Sequence, residues 1–587
     1  MSSAVPEPPN NDDDDGGPAD DPMGRAVGAG IDFTDPNSRL APLYLTTTGV
    51  IAVAVFAALF LLYSLLPLQH TDVWGHLKLG GWIVEHRRLP AHEPFNPYTV
   101  KDDSVETFQP WLTQALYHAA YRAGSKLGGN DRAKRFHGGA EMLRDLHVIP
   151  IVAVYGFLWL AFRRASGSGS LALLGLGLQF LAGVSTIGVQ RPQVFGLALF
   201  AVLLAMLSRP VPTRRAVVLI PLLLILWANL HGGFAIGCAT LALAWVGRCL
   251  ACGSVRAAYA DPRVRRLLLA GVLAAAGVAL LNPAGPRVYL LVIEFGANPN
   301  LETLAEWQPV RFSDPRSGIR LYVATLVLTV VTVALSPLRV TPTQCLIGLT
   351  FGVAPLFQQR MMTWWCPLLL WQLMPHFGAA AERWRLTWPA STPSLRKTML
   401  AVLLVFPFVM LTPLVGWLQT GDPPPVAVTF RAGTPLELLG TIADPTAAPT
   451  RRMAGLATAL RERYAGRPVG PLFVAEGLGE FFYWRDLPGC PPLWFTHAHL
   501  FPPPHWAAAF ATATGGPGWW EFLDRHRVNL IAVEPDFHRE LVAKVTARPD
   551  DWLVVLDETD SDAIRDPRGR LFVAVRKKPL PLPDAGR

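Results

Sequence analysis

Long apolar runs, separated by short polar stretches, make up most of the first 418 residues of the chain. The first run, at 43–66, is long enough to cross a bilayer, since a membrane-spanning helix needs roughly 20 apolar residues. Ten further runs follow, at 147–162, 170–187, 193–208, 216–230, 233–247, 267–281, 319–336, 343–357, 361–376 and 398–418. Pro or Gly interrupts several of them, which membrane helices tolerate where their neighbours satisfy the freed backbone groups. The pattern predicts about eleven spanning helices in a polytopic α-helical membrane domain at 41–418.

A polar stretch at 67–146 separates the first two apolar runs. A loop of that length within a compact domain is commonly functional. It contains two helix-like pieces, at 72–86 and 111–122. Both pieces mix aromatic with charged residues, as helices lying in a membrane interface do. We therefore expect a large first outer loop with interfacial helices.

The chain changes character after residue 418, where charge rises and short apolar runs alternate with helical patterns. Runs of the strand type lie at 472–475, 530–533, 553–556 and 571–575. Helical patterns lie at 453–464, 519–526 and 537–546. This alternation predicts a soluble α/β domain at 419–587. The acidic, Pro- and Gly-containing segment at 1–40 cannot form a core, so we expect it to be a disordered tail.

Composition and charge narrow the class of protein. The chain is 51% hydrophobic, only 16% charged and has a mean hydropathy of +0.29, whereas soluble domains carry about 25% charged residues. The net charge of +8 comes from basic residues in short clusters between apolar runs, which is typical of membrane loops. These residues are not interleaved with aromatic ones as on a nucleic-acid-binding surface. The expected partner is therefore the lipid bilayer, and no nucleic acid is expected.

The basic clusters also predict an orientation. If every apolar run spans the membrane, the arginines at 163–164, 209–215, 248–266 and 339 and the basic residues at 383–397 all lie on one side. Loops rich in Lys and Arg remain cytoplasmic. The N-terminus is then cytoplasmic, and the first loop and the C-terminal domain are extracytoplasmic. We expect a multi-pass protein of the cell (inner) membrane.

Ionisable residues gather at the predicted outer ends of the apolar runs. Such residues are costly at membrane depth and tend to mark function. Loops are polar in general, but His231 and Arg360 lie in turns too short to be simply solvated. A face with carboxylates, histidines and arginines suits an anionic, partly lipidic substrate. The candidate site residues are Asp72, His76, Glu93, Arg191, His231, Glu306 and Arg360.

Asp72 and His76 are four residues apart, so they share one face if their segment is helical. This spacing suits a carboxylate–imidazole pair, or two ligands of one divalent metal ion. It also suits an interfacial helix with a polar stripe, and for His76 alone we favour that simpler interpretation. Asp72 follows the first apolar run and lies close to the expected membrane surface, which favours a functional role.

The first loop carries a series of short motifs. They are Gln-His-Thr-Asp72-Val-Trp-Gly-His76-Leu, Gly80-Gly81-Trp-Ile, Leu89-Pro90-Ala-His-Glu93-Pro94-Phe95-Asn and Gln-Pro-Trp111-Leu. The series resembles the first outer loop of GT-C glycosyltransferases, the multi-span enzymes that use polyprenyl-phosphate sugars. It is similar to bacterial proteins described as protein-mannosyltransferase-like or lipopolysaccharide-core-transferase-like. The resemblance covers most of residues 43–376 and implies a GT-C-like fold.

The resemblance implies a catalytic role for Asp72 as the base that activates the acceptor, with Glu93 as a second carboxylate. GT-C enzymes often have two adjacent acidic residues at this point, whereas Val73 follows Asp72 here. No cofactor is therefore assigned, and a divalent metal ion is left open. On physical grounds we expect Arg191 and Arg360 to bind phosphate, because guanidinium grips phosphate oxygens in bidentate fashion. His76, His231 and Glu306 are expected to contact the substrate with them.

The predicted function is transfer of a sugar from a polyprenyl-phosphate donor to an acceptor hydroxyl at the outer face of the membrane. The acceptor, whether glycan, lipid or protein, is unspecified. One alternative is a transporter or flippase for a lipid-linked saccharide, which needs the arginines but no base. Another is a non-catalytic assembly protein of the cell envelope.

The C-terminal domain contains two further patterns. Trp519-Trp520-Glu521-Phe522 has a faint similarity to the acceptor motif of oligosaccharyltransferases, but an amphipathic helix packed on the sheet explains it better. His497, His499 and His505 lie in a Pro-rich segment without a nearby Cys or carboxylate cluster, so we interpret them as loop histidines. On this basis the C-terminal domain is predicted to be an accessory.

Overall fold

The computed structural model describes residues 33–66, 72–101, 110–209, 214–314, 318–388, 391–420, 470–485, 489–559 and 570–581. Most of the predicted tail at 1–40 and the predicted helix at 453–464 lie outside these residues. The helical part contains α1 Thr47–Leu65, α2 Val73–His86, α3 Trp111–Leu127, α4 Arg132–Ser166, α5 Gly169–Ile187, α6 Gln193–Leu207, α7 Arg214–Leu230 and α8 Phe234–Ala251. It continues with α9 Val255–Ala260, α10 Pro262–Leu281, α11 Val288–Gly296, α12 Ile319–Leu335, α13 Pro342–Val353, α14 Met362–Arg383, α15 Leu395–Met410 and α16 Pro413–Thr420.

Every apolar run of the sequence lies in a helix, and side-chain caps fix where several of these helices begin. Thr46 accepts a hydrogen bond from the backbone N–H of Gly49 at the start of α1, and Ser168 does the same for Leu171 at the start of α5. Helix α13 begins with a capping box formed by Thr341 and Gln344. Such caps satisfy N–H groups that have no partner within the helix.

The chain is a membrane protein with several apolar helices, but the number of spans is smaller by simple criteria than the pattern predicts. Within the described ranges, four helical segments are long and apolar enough to cross a membrane, namely Thr47–Leu65, Lys134–Ser166, Phe234–Ala251 and Pro262–Leu281. A fifth is possible if α15 and α16, bent by 69°, form one broken span. Four shorter apolar helices lie at Gly169–Gly183, Gln193–Leu207, Ile319–Leu335 and Pro342–Leu356. The predicted count of about eleven is therefore not established.

Helix α4 differs from the prediction at its N-terminal end. It runs unbroken for 35 residues and begins at Arg132, inside the stretch predicted to be loop. Two charges in its first half are buried as a pair, because Arg144 contacts Glu141 and both side chains are fully buried, whereas Arg135 is exposed. This part of the predicted loop is therefore a largely buried helix, although its sequence is polar.

The C-terminal domain is a four-stranded mixed sheet with helices. Its strands have the order β1-β2-β4-β3; β1 and β2 are parallel, and the other two pairs are antiparallel. Leu530 of the central strand β2 pairs with Leu472 on one side and Val575 on the other. The elements are β1 Leu472–Val474, α17 Glu476–Arg485, α18 Pro503–Ala513, α19 Trp519–Arg525, β2 Leu530–Val533, α20 Arg539–Thr546, β3 Trp552–Asp557 and β4 Phe572–Arg576.

The C-terminal domain shares a core with the first loop of the helical part. Trp74 of α2 is almost fully buried and packs against Phe481 and Trp484 of α17, at ring-centroid distances of 5.5 and 4.8 Å. Residues of α3 and α4 join the same buried cluster as β1 and β2. This shared core holds the start of α2 against α17, and a cavity lies beside that contact.

Candidate active site

A cavity of about 900 Å³ lies where several helix ends of the helical part meet the C-terminal domain. Its lining comes from the start of α2, the turn before α6, the turn between α7 and α8, helix α11, the segment at 301–307 and the turn before α14. The C-terminal domain closes it with the start of α17 and the segment at 496–503. Six of the seven predicted site residues line this cavity, namely Asp72, His76, Arg191, His231, Glu306 and Arg360.

Asp72 sits at the N-terminal end of α2 and keeps its negative charge. Its Oδ1 lies 3.6 Å from Arg191 Nε, and its Oδ2 lies 3.7 Å from His76 Nε2. Burial alone would raise the pKa of Asp72, but Arg191 foremost, with His76 and His497, holds it well below its usual value. Oδ1 accepts no hydrogen bond from the part of the protein that the structure describes. An ionised carboxylate that lines a cavity is suited to accept the proton of a substrate hydroxyl.

Glu306 bridges the two arginines of the cavity. Arg191 contacts one of its carboxylate oxygens, and Arg360 Nη1 lies 3.1 Å from the other. Arg360 Nη2 also donates to Gln193 Oε1 at 3.0 Å, and its guanidinium stacks over Trp307 at 5.1 Å. Burial would raise the pKa of Glu306, but Arg360 and Arg191 lower it. The carboxylate thus occupies the point between two guanidiniums at which phosphate oxygens would find the strongest attraction.

His231 is fixed in the tight turn between α7 and α8. Its Nδ1 accepts a hydrogen bond of 2.9 Å from the backbone N–H of Gly233. A Cβ at residue 233 would lie 2.8 Å from that atom and 2.9 Å from Trp364, so the turn requires glycine. Trp111 ties this turn to α3 by donating to Asn229 Oδ1 at 2.8 Å. Burial, reinforced by Arg360, lowers the pKa of His231 to about 3, so the imidazole is neutral.

Glu93 is not among the described residues that line the cavity. Its carboxylate is fully buried and accepts hydrogen bonds from the backbone N–H groups of Phe95 and Asn96 and from the hydroxyls of Thr99 and Tyr483. These bonds fold the segment after α2 and attach it to the C-terminal domain. The position therefore argues against the expected second catalytic carboxylate, because its acceptor capacity is used to hold the chain.

The C-terminal domain contributes ionisable groups that the sequence interpretation passed over. His497 and His499 line the cavity, although the sequence suggested simple loop histidines. Glu476, at the first position of α17, lines it as well. Burial foremost raises the pKa of Glu476 to about 7; Arg191 opposes this shift, and Glu480 and Glu306 add to it. Nothing in the sequence spacing links these residues to Asp72, because only the tertiary fold brings them together.

A metal site is not evident in the described ranges. They contain no group of three or more His, Cys, Asp or Glu side chains arranged to hold a metal ion. The expected Asp72–His76 pair is present, but His76 turns its second nitrogen toward His497, at 3.3 Å.

Fold and site together define a helical membrane protein with a charged cavity between its helix ends and a soluble domain. The chain is similar to an oligosaccharyltransferase of Archaeoglobus fulgidus in the apo form, with 12% identity and a TM-score of 0.45 over 84% of this chain and 70% of that one.

It is also similar to ArnT from Cupriavidus metallidurans in two states. The structure bound to undecaprenyl phosphate has 18% identity and a TM-score of 0.41, over 89% of this chain and 97% of that one. The apo structure has 17% identity and a TM-score of 0.44, over 90% and 98%. No protein-family model and no curated protein matches the chain.

Proposed function

We propose that the protein is a glycosyltransferase that moves a sugar from a polyprenyl-phosphate donor to an acceptor hydroxyl at the extracytoplasmic face of the membrane. The observation that carries this proposal is the cavity, where an ionised carboxylate and two guanidiniums face one space. A carboxylate without arginines would suit many hydrolases, and arginines without a carboxylate would suit a phosphate binder. Their combination suits displacement of a phosphate leaving group by an activated hydroxyl.

Helix α11 supports a lipid-linked donor. Leu291 and Val292 line the cavity on its inner side, while Leu290 and Ile293 are 58% and 68% exposed on its outer side. The helix therefore separates the charged cavity from a surface that suits hydrocarbon. A donor with a polyprenyl tail and a phosphate head matches both sides of this wall, because the tail stays in lipid while the phosphate reaches Arg191 and Arg360.

The reaction follows from these positions. The acceptor hydroxyl lies beside Asp72 and attacks the anomeric carbon, while its proton passes to the carboxylate. The bond between the anomeric carbon and the phosphate oxygen breaks, and its electron pair leaves with the polyprenyl phosphate. Arg191 and Arg360 stabilise that charge, displacing Glu306 from one or both guanidiniums. A single displacement inverts the configuration at the anomeric carbon.

The decisive experiment uses the full chain purified in detergent with a polyprenyl-phosphate hexose. Release of polyprenyl phosphate in the presence of glycan, lipid or peptide acceptors is measured, together with binding of the donor. Turnover supports the proposal, and the reactive acceptor identifies the substrate class. Donor binding without turnover would instead favour a lipid-linked saccharide transporter, and absence of binding a non-catalytic assembly protein.

A further inference from the structure

Four ionisable side chains lie in line between the cavity and the interior of the C-terminal domain. Asp72 Oδ2 lies 3.7 Å from His76 Nε2, His76 Nδ1 lies 3.3 Å from His497 Nε2, and His497 Nδ1 lies 2.6 Å from Glu480 Oε1. Asp72 and His76 belong to the helical part, whereas His497 and Glu480 belong to the C-terminal domain. Both histidines and Glu480 are buried, and Glu480 is fully so.

The close approach of the two helices that carry this line depends on a glycine. A Cβ at Gly75 of α2 would collide with Glu480 Oε2 and would lie 2.8 Å from the His497 ring. Any larger residue would therefore push α2 away from α17 and separate His76 from His497. The line of four residues is built into the packing of the two domains.

The hydrogen-bond partners of this line limit how many protons it can hold. Glu480 Oε1 accepts from Thr496 Oγ1 at 2.7 Å and from the backbone N–H of His497 at 3.2 Å. The oxygen is thus an acceptor, so His497 Nδ1 must carry a hydrogen. Between His497 Nε2 and His76 Nδ1 there is room for one hydrogen only. If this hydrogen is bonded to His76 Nδ1, neutral His76 presents an unprotonated Nε2 to Asp72. If it is bonded to His497 Nε2, neutral His76 presents an N–H to Asp72.

Two arrangements satisfy these contacts. In the empty one, His497 is neutral, His76 carries its hydrogen on Nδ1, and its bare Nε2 faces Asp72. In the loaded one, His497 is an imidazolium beside Glu480, and His76 carries its hydrogen on Nε2 and donates to Asp72. The amide group of Gln114 lies 3.3 Å from His76 Nδ1 and can donate to that atom or, turned over, accept from it, so this contact is compatible with both forms. The two forms differ by one proton.

The surroundings favour a proton at the inner end of the line. Burial would lower the pKa of His497, but Glu480, with Asp72 and Glu93, raises it above its usual value. Burial and His497 lower the pKa of His76, against the opposite effect of Asp72. Other titratable or charged groups that act on the line are Arg191, Glu306, Arg360, Tyr117, His147, His231, His499 and Glu476. Of these, Arg191 keeps Asp72 ionised and thereby keeps it from retaining a proton.

We propose that Asp72, His76, His497 and Glu480 form a proton-transfer chain through which the C-terminal domain takes up the proton lost by the acceptor hydroxyl. This inference rests on the proposed function. The proton passes from the acceptor oxygen to Asp72 and on to His76 Nε2, while the hydrogen on His76 Nδ1 passes to His497 Nε2. The empty chain becomes the loaded chain, with the new positive charge beside Glu480. His497 lines the cavity, so the proton returns to water when the products leave.

The proton-transfer chain predicts how kcat depends on pH. Only the empty form can accept a proton, and His497 is empty above its pKa, which is raised from 6.5. We therefore expect kcat of the wild type to rise with pH above pH 6.5 as His497 loses its proton; this rising part of the pH–rate profile is called the limb. His497→Gln keeps a side chain that reaches Glu480 and His76 but cannot hold the proton. It should lower kcat about tenfold or more, leave KM within about threefold and abolish this limb.

Glu480→Gln is the second variant. Loss of the carboxylate lowers the pKa of His497, so the limb should move to lower pH while the plateau of kcat falls. His92→Gln, an exposed histidine of the first loop, is the matched control and should leave the profile unchanged. If His497→Gln and Glu480→Gln change KM or thermal stability but leave the limb in place, the two residues only dock the domains and the proposal is overturned.

A measurement without turnover separates this proposal from the proposed function. Nitrogen NMR of ¹⁵N-histidine-labelled protein distinguishes imidazolium from the two neutral tautomers. We expect one signal to titrate above pH 6.5 in the wild type, to vanish in His497→Gln and to titrate at lower pH in Glu480→Gln. If these signals are found but no sugar is transferred, the chain exists and the proposed reaction is wrong. If transfer occurs and no such signal is found, the proton-transfer chain is refuted and the proposed function stands.

Discussion

The helical part and the C-terminal domain contribute different chemistry to the same cavity. The helical part supplies Asp72, Arg191, Glu306 and Arg360, whose mutual ion pairs hold them in fixed charge states. The C-terminal domain supplies Glu476, with a pKa of about 7, and His497, with a pKa above its usual value. The side of the cavity formed by the helical part thus carries permanent charges, which suit a phosphate. The side formed by the C-terminal domain carries groups that titrate near neutral pH, which suit proton transfer. The C-terminal domain thus lines the cavity together with the helical part, although the sequence predicted it to be an accessory.

The largest effect should come from removing the fixed negative charge. Asp72→Asn keeps the size of the side chain but cannot accept the hydroxyl proton, so we expect kcat/KM for sugar transfer to fall about a thousandfold. Donor binding should remain, because the arginines are untouched. Asp551→Asn, on the surface of the C-terminal domain, is the control. Full transfer activity in a correctly inserted Asp72→Asn protein would refute the base role.

The fixed positive charges should come next. Arg360→Lys retains the charge but loses the planar fork that reaches Glu306, Gln193 and Trp307 together. We expect a loss of about a hundredfold in kcat/KM, measured with the same donor. Arg320→Lys, an exposed arginine at the start of α12, should have no effect. A loss confined to thermal stability would mean that Arg360 only anchors the turn before α14.

Glu93 tests whether position in a motif or position in the fold decides a role. Glu93→Gln replaces a carboxylate that accepts several hydrogen bonds by an amide that accepts fewer, so Tm should fall by about 3 °C. Because Glu93 is not among the described residues of the cavity lining, kcat per folded molecule should stay within about threefold of the wild type. A loss of kcat as large as that of Asp72→Asn would restore Glu93 to the catalytic set.

The smallest expected effect is on thermal stability and comes from Glu476, one of the titratable groups that the C-terminal domain contributes to the cavity. The pKa of Glu476 is about 7 in the folded protein, against 4.5 for an ordinary glutamate, so the folded state keeps a proton that the unfolded state has lost. Stability therefore falls as pH rises from about 4.5 to 7. Glu476→Gln removes this loss, and its Tm should exceed that of the wild type by about 2 °C at pH 8 and equal it at pH 4. Glu521→Gln, an exposed control, should show no such difference.

The sequence predicts the helices well, and it predicts one wall of the cavity. Each apolar run is helical because its period and length leave few other structures in a membrane. Arg191, His231 and Arg360 line the cavity, and the alternation of predicted spans assigns their turns to one end of the helices; their roles stay predictions. The number of spans does not follow from the sequence in the same way, because several apolar helices are shorter than 18 residues and apolar length alone does not show whether a short helix crosses.

The other wall depends on tertiary structure. His76 and His497 are 421 positions apart in the chain, and no local pattern records their contact. Glu93 is not among the described residues of the cavity lining, although a familiar local motif surrounds it, because its carboxylate accepts hydrogen bonds within its own segment. The buried pair Glu141–Arg144 was assigned to a loop, because a sequence pattern shows charge but not its compensation.

The core around Trp74 has a consequence for how this chain can be recombined. Helix α2 packs more intimately with α17 than a tether between independent domains would require. A chimera that exchanged residues 470–587 alone would pair a foreign surface with Trp74 and Gly75. The natural module for such an exchange is therefore the C-terminal domain together with α2, α3 and the first half of α4, although these pieces lie at opposite ends of the chain.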